Sequence, residues 1–311
     1  MNLVNFALCP FYAKLSRNIT KKDNESSFSD WERKMKRKLF LLIFSIISLT
    51  GLVAWRTSLL SDCIDPLNGF FMPEYSILRI IFAIVLIIFV VAVAIIVLPD
   101  QKQPCSSRRS SKTLAALNLV YGIVTLIQVF ILLNHTENKW DIIYLVGLLC
   151  LFAFMVYYAV CMFSFTKANP IISLIPVALF IFKLAHSFID SFGIIKTSEV
   201  TLNILALVFC VLFFQFYARY ISKVTFRKIR KPMMISGVCA VVFTTVAVLP
   251  DLIVPLFNSE ISSRISASDS FFMLSTAFYI FAFLIISFSK KLLYKIRSEE
   301  GEEIASELLY Q

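Results

Sequence analysis

Long unbroken apolar runs, separated by short stretches where charges collect, fill the chain from residue 39 to residue 289. They cover residues 39–55, 77–98, 113–133, 142–165, 171–195, 200–221, 233–257 and 271–289. Runs of this length exceed what a core strand or an ordinary core helix uses. At 1.5 Å per residue, roughly 17–25 residues cross the ~30 Å hydrocarbon layer of a bilayer as an α-helix. The pattern therefore predicts an all-α polytopic transmembrane helix bundle of eight spans. A seven-span reading must fuse two runs across "TKANP" (166–170) or "KTSE" (196–199) into an apolar helix of about 50 residues. Pro170 and the hinge charges argue against that.

The charges between the runs set the orientation. Alternate loops fall on opposite sides of the membrane, and Lys and Arg gather on one of them. One side, with residues 1–38, 99–112, 166–170, 222–232 and 290–311, carries 23 of the 30. The other carries four, Arg56, Lys139, Lys196 and Arg264, and three more, Arg79, Lys183 and Arg219, fall inside runs. A missed helix would scramble this alternation. Both termini are expected in the cytoplasm and the protein in the plasma membrane.

Three parts follow. Residues 1–38 form a cytoplasmic segment with apolar material at 3–15, able to lie on a membrane surface, and a basic cluster at 33–38 that suits anionic headgroups. Ser29 to Glu32 has the form of a capping box, so the first helix can begin ahead of its apolar run. The opening residues lack the basic-then-apolar order of a secretory signal. Residues 39–289 are the membrane domain, and 290–311 an acidic tail with Ile304, Leu308 and Leu309 at helical spacing. No internal repeat is visible.

Composition agrees with a lipid-solvated chain. Mean hydropathy is +0.80, with 59% hydrophobic and 16% charged residues, against about a quarter charged in soluble domains. The net charge of +10 would suggest nucleic acid in a soluble protein. Here the charge-count asymmetry accounts for it, and no nucleic-acid partner is expected. The seven cysteines form no CxxC and accompany no histidine cluster, so no metal, haem or cofactor site is expected. Cys63 alone falls on the outer side, so no disulfide is expected there.

Polar side chains at bilayer depth are costly and need a partner or a purpose. Arg79 and Arg219 lie near helix ends and can snorkel to the headgroups. Asn118, Gln128, Asn203 and Gln215 fit ordinary interhelical hydrogen bonding. Asp251 follows Pro250 about 28 Å along its helix, near the outer surface. There, Pro250 and Pro255 predict a bent or unwound end carrying a hydrated aspartate or lining an outward-facing cavity.

"LFIFKLAHSFIDSF" (179–192) is harder to place. Lys183 falls about 18 Å along its helix, near mid-bilayer. His186 and Asp190 follow at i+3 and i+7, within about 60° of Lys183 on the helix surface. Two readings stand. Asp190 or Asp251 neutralises Lys183 and the stripe fixes packing, or the stripe lines a watery path. In the second, Lys183 attracts an anionic group and His186 relays a proton.

No P-loop, GxGxxG, HExxH or GxSxG is present, nor the Arg and Asn-Pro motifs of heptahelical receptors. The sequons at Asn18, Asn24 and Asn134 and the basic "SSRRSS" (106–111) carry no further assignment. The stretch 174–220, "LIPVALFIFKLAHSFIDSF…LNILALVFCVLFFQFYARY", with the "FRKIRKP" after it, resembles multi-pass membrane proteins of anaerobic Gram-positive bacteria. The resemblance covers a minor part of the chain and implies a bacterial plasma-membrane location but no activity. The leading expectation is a small-molecule or ion transporter or permease, with Lys183, His186, Asp190 and Asp251 lining its pathway. The alternative is a sensory or accessory subunit acting through a membrane-protein partner or lipid. An intramembrane enzyme has no visible catalytic constellation.

Overall fold

The structure is a computed structural model describing residues 40–61, 75–97, 112–134, 139–164, 168–190, 198–222, 226–257 and 268–286. Among these residues every long element is a helix and none is a strand. In chain order they are α1 (Phe40–Ser61), α2 (Ser76–Val97), α3 (Lys112–Leu133), α4 (Lys139–Phe163), α5 (Ile175–Asp190), α6 (Ser198–Ile221), α7 (Phe226–Phe257) and α8 (Ser268–Ile286). All eight apolar runs appear as helices long and apolar enough to cross a membrane. The segment at 3–15, the capping box, the basic cluster at 33–38, "SSRRSS", the sequons at Asn18 and Asn24 and the acidic tail lie outside the described residues.

The chain divides into two units, Met1–Phe44 and Ser45–Gln311. The described part of the first is the start of α1, where the rings of Phe40 and Phe44 stack at 6.2 Å. The second unit contains the rest.

The limits of α1 and α7 differ most from the apolar runs, for physical reasons. α1 continues to Ser61, past the last long apolar stretch, because Arg56 is buried rather than placed in a loop. α7 starts at Phe226, so the basic "FRKIRKP" is helical, and its 32 residues extend about 48 Å, well beyond the hydrocarbon layer. α7 also stays helical through Pro250 and Pro255, where an unwound end was expected. It is the most enclosed of the spans, and neighbouring helices hold its backbone in place.

The hinge before α5 is built by its own residues. The side-chain oxygen of Asn169 accepts the Ile171 N–H at 3.0 Å, and the Asn169 carbonyl accepts the Ser173 hydroxyl at 2.8 Å. Asn169 N–H donates to the Tyr157 hydroxyl at 3.0 Å, tying the turn to α4. A short 3-10 turn, Ile172–Leu174, then leads into α5. Asn-Pro at 169–170 favours such a turn because proline excludes the helical conformation from the residue before it.

α2 shows how an all-apolar helix still has two faces. Ile77, Ile80, Ile84, Ile87, Val91 and Ile95 are exposed, while Phe82, Leu86, Phe89, Val93 and Val97 are buried. Both sets recur every three or four residues, so one stripe meets protein and the other suits lipid tails.

The core of the second unit is aromatic. Phe180 of α5 stacks between Phe214 of α6 at 5.0 Å and Phe272 of α8 at 5.7 Å. Phe213 and Tyr217 of α6 pack against Phe283 of α8 at 5.9 and 5.0 Å. α7 closes over this layer at Gly237, where an added Cβ would come within 3.0 Å of Phe213 and 3.2 Å of Leu284. Gly237→Leu is therefore expected to lower the thermal unfolding midpoint in detergent by overpacking, a cost of about 1–3 kcal/mol. An unchanged midpoint would show that α6, α7 and α8 do not meet this closely.

Candidate functional site

Two ion pairs join distant parts of the second unit among the described residues. In the first, Arg56 of α1 reaches Asp251 of α7, Nη2 to Oδ1 at 3.5 Å, with side chains 5% and 6% exposed. Asp251 is thus a buried counter-ion and not a hydrated aspartate at a turn. Arg56 Nη1 has no hydrogen-bond partner, so the pair is incompletely satisfied. Sequence reasoning had counted Arg56 among the loop charges. Its only early signal was its nearness to an apolar run.

The second pair answers the question raised by Lys183. Its Nζ lies 2.5 Å from Oδ1 of Asp269 in the first turn of α8. The Tyr144 hydroxyl of α4 is 3.4 Å away. The ammonium also stands 4.6 Å from the Tyr144 ring centre and 5.6 Å from that of Phe272, within cation–π range. Two aromatic faces and a carboxylate enclose one cation. Lys183 is 12% exposed and Asp269 39%, so the pair is open on the aspartate side.

The counter-ion of Lys183 is therefore Asp269, while Asp251 serves Arg56. His186 sits one turn beyond Lys183 on α5, half-buried beside Phe182 with ring centres 6.5 Å apart. Asp190 is the last residue of α5, and its side chain lies outside the described residues. Of the four candidates, the geometry places Lys183 in a polar cluster, Asp251 in a separate pair, and His186 on the same helix as Lys183. Asp269 was missed because it precedes the predicted start of the last span. The available signal was "SASDS" (266–270), small polar residues with an acid where a helix begins.

α3 and α8 carry the polar groups onward. Gln128 Nε2 donates to the Ser268 carbonyl at 2.7 Å and contacts its hydroxyl at 2.5 Å. Further along, the Tyr121 and Thr276 hydroxyls meet at 2.7 Å. Further still, Asn118 Oδ1 accepts the Tyr279 hydroxyl at 2.8 Å. Positions on α3 fall as those on α8 rise, so the helices are antiparallel and share one polar seam. On α3 the polar residues 118, 121, 125 and 128 recur every three or four, on one face.

The seam ends in a sealed network. Tyr217 and Tyr279 hydroxyls lie 2.8 Å apart, and Tyr217 also approaches Asn118 Oδ1 at 3.4 Å. Asn118 Nδ2 donates to the Leu114 carbonyl at 2.6 Å. One proton order satisfies the group: Tyr217 donates to Tyr279, and Tyr279 to Asn118. Asn118, Tyr217 and Tyr279 are each at most 1% exposed. Cys210 and Thr244 add a weak contact at 3.6 Å between α6 and α7.

Among the described residues three buried side-chain polar atoms lack a hydrogen-bond partner: Arg56 Nη1, Gln128 Oε1 and Ser270 Oγ. Ser270 follows Asp269 in the first turn of α8, and Gln128 of α3 contacts Ser268 there. Groups of three or more His, Cys, Asp or Glu able to hold a metal are absent from the described residues.

The described residues form an all-helical fold with eight helices able to span a membrane. Searches against protein-family models, curated proteins and solved structures found no match to this chain.

The Arg56–Asp251 pair has a clear signature. Removing either partner leaves a buried uncompensated charge, so Arg56→Met or Asp251→Asn should each cost about 3–5 kcal/mol, while replacing both with apolar residues should cost much less. Thermal unfolding of the two single variants and the Arg56→Met/Asp251→Leu double variant in detergent checks this. Additive losses would show that the two residues are not coupled.

Proposed function

We propose that the chain is a plasma-membrane transporter or permease for a small molecule or ion, with both termini in the cytoplasm. The Lys183–Asp269 pair lines the outer part of its path. His186 and Asp190 continue the stripe outward along α5, and the α3–α8 seam continues it inward through Tyr121, Thr276 and Asn118. Arg56–Asp251 braces α1 against α7.

The observation that carries this reading is the Lys183–Asp269 pair. Ionisable side chains inside membrane spans are rare, and those that occur commonly mark a substrate or ion path. This pair is partly exposed at the aspartate, and the first turn of α8 that carries Asp269 also carries Ser268, where the α3–α8 seam begins.

The test is uptake into proteoliposomes of labelled inorganic ions, small organic acids, amines and amino acids. Lys183→Met and Asp269→Asn should each reduce uptake at least tenfold. The Lys183→Met/Asp269→Leu double variant, which removes both charges, should regain stability but not transport. A wild type that moves none of these solutes, with variants altered only in stability, would instead mark a sensory or accessory subunit.

A further inference from the structure

Two of the three prolines inside α7, Pro250 and Pro255, stand five residues apart near one end of the helix. Proline has no N–H, so the carbonyls of Val246 and Asp251 lose their helical donors, and each ring crowds the turn before it. Sharp bends in helices occur where a proline interrupts the ladder in this way. Packing changes at the same place. From residue 233 to residue 251 every residue is buried except Ile235, Thr245 and Leu249, whereas of the next four only Val254 is buried. The helix is therefore both less hydrogen-bonded and less enclosed from Pro250 onward.

The first residue past Pro250 is the one tied to another helix. Asp251 Oδ1 accepts Arg56 Nη2 of α1, and both side chains are almost fully enclosed. Separating such a pair strands two poorly solvated charges, which is the expensive outcome. A bend at Pro250 must therefore carry Arg56 with it. α1 is free to follow, because it is the least enclosed of the eight spans, as α7 is the most. A Cβ built on its Gly51 would meet nothing within 4 Å. Its ring contact with α2, Trp55 edge-on to Phe82 at 5.6 Å, involves no charge.

We propose that Pro250 is a hinge about which the last two turns of α7 and the half of α1 around Arg56 swing as one body, with the Arg56–Asp251 pair as the link between them. The buried stretch of α7 before the hinge stays fixed, held at Gly237 against Phe213 and Leu284. A change of about 20° at the hinge moves the end of α7, about 10 Å further along, by about 3–4 Å. The pair is kept intact through the motion, so no charge is stranded. The hinge supplies a moving part for the transport reading, but it rests on the packing of α1 and α7 alone and is measurable with no solute present.

The experiment is pulsed electron paramagnetic resonance on the full chain in lipid nanodiscs, with a genetically encoded spin label that leaves the native cysteines untouched. Labels replace Ser58 of α1, Ile253 of α7, Phe130 of α3 and Phe278 of α8, two at a time. The Ser58–Phe130 distance distribution should be about twice as wide as the Phe130–Phe278 one, and the Ser58–Ile253 distribution no wider than the latter. Pro250→Ala, which restores the missing N–H, should narrow the Ser58–Phe130 distribution and leave Ser58–Ile253 unchanged. Equal widths for Ser58–Phe130 and Phe130–Phe278 overturn the hinge, and the wild-type background decides this even if the variant fails to fold. A Ser58–Ile253 distribution as wide as Ser58–Phe130 overturns the link. A Ser58–Phe130 width that Pro250→Ala leaves unaltered puts the bend elsewhere and overturns the proposal too. Motion without uptake of any solute keeps the hinge and removes the transport reading. Uptake with a rigid α1 does the reverse.

Discussion

A charge that cannot reach water must find its opposite inside the protein, and this constraint organises the helices of the second unit. Arg56 and Asp251 tie α1 to α7 across almost two hundred residues of sequence. Lys183 and Asp269 tie α5 to the first turn of α8. In a hydrocarbon surround, apolar packing alone does not distinguish one helix neighbour from another, because lipid tails solvate an isoleucine as well as a protein does. Unlike charges do distinguish, since every mispaired arrangement strands two of them.

Hydrogen bonds work at shorter range towards the same end. α3 supplies Asn118, Tyr121 and Gln128 on one face, and α8 answers with Tyr279, Thr276 and Ser268. A one-residue slip of either helix would break all three contacts, so the seam fixes register as well as partnership. The aromatic layer of Phe180, Phe214 and Phe272 packs between the open polar cluster and the tyrosine network at the far end of the seam. The two ends of the seam differ. The residues of the network at Asn118 are almost fully enclosed, whereas Asp269 is partly exposed.

Lys183 was recognisable in the sequence as the charge whose depth needed an explanation, and the structure explains it with a residue that had looked like part of a loop. Asp269 and Arg56 share the reason they were overlooked. Hydropathy marks where apolar runs stop, but a helix can continue past its apolar run when a partner compensates the next charge. Asp251 was singled out correctly as a polar group in an apolar helix, but its chemistry was misjudged, because depth suggested hydration and the neighbour on α1 provides burial instead. Asn118 and Gln128 were read as helix-to-helix contacts, and they are.

The sequence by itself determined the number of helices, their approximate limits and their all-α character, because the cost of unpaired backbone groups in hydrocarbon leaves a long apolar segment no other regular form. It also marked the polar residues that must be accounted for. Only the tertiary structure decided which of them meet. Pairing depends on how each helix is rotated and where each begins, and segments that are apolar nearly all round carry little signal of either. That Lys183 faces Asp269 and Gln128 meets Ser268 follows from contacts spanning up to 140 residues of chain.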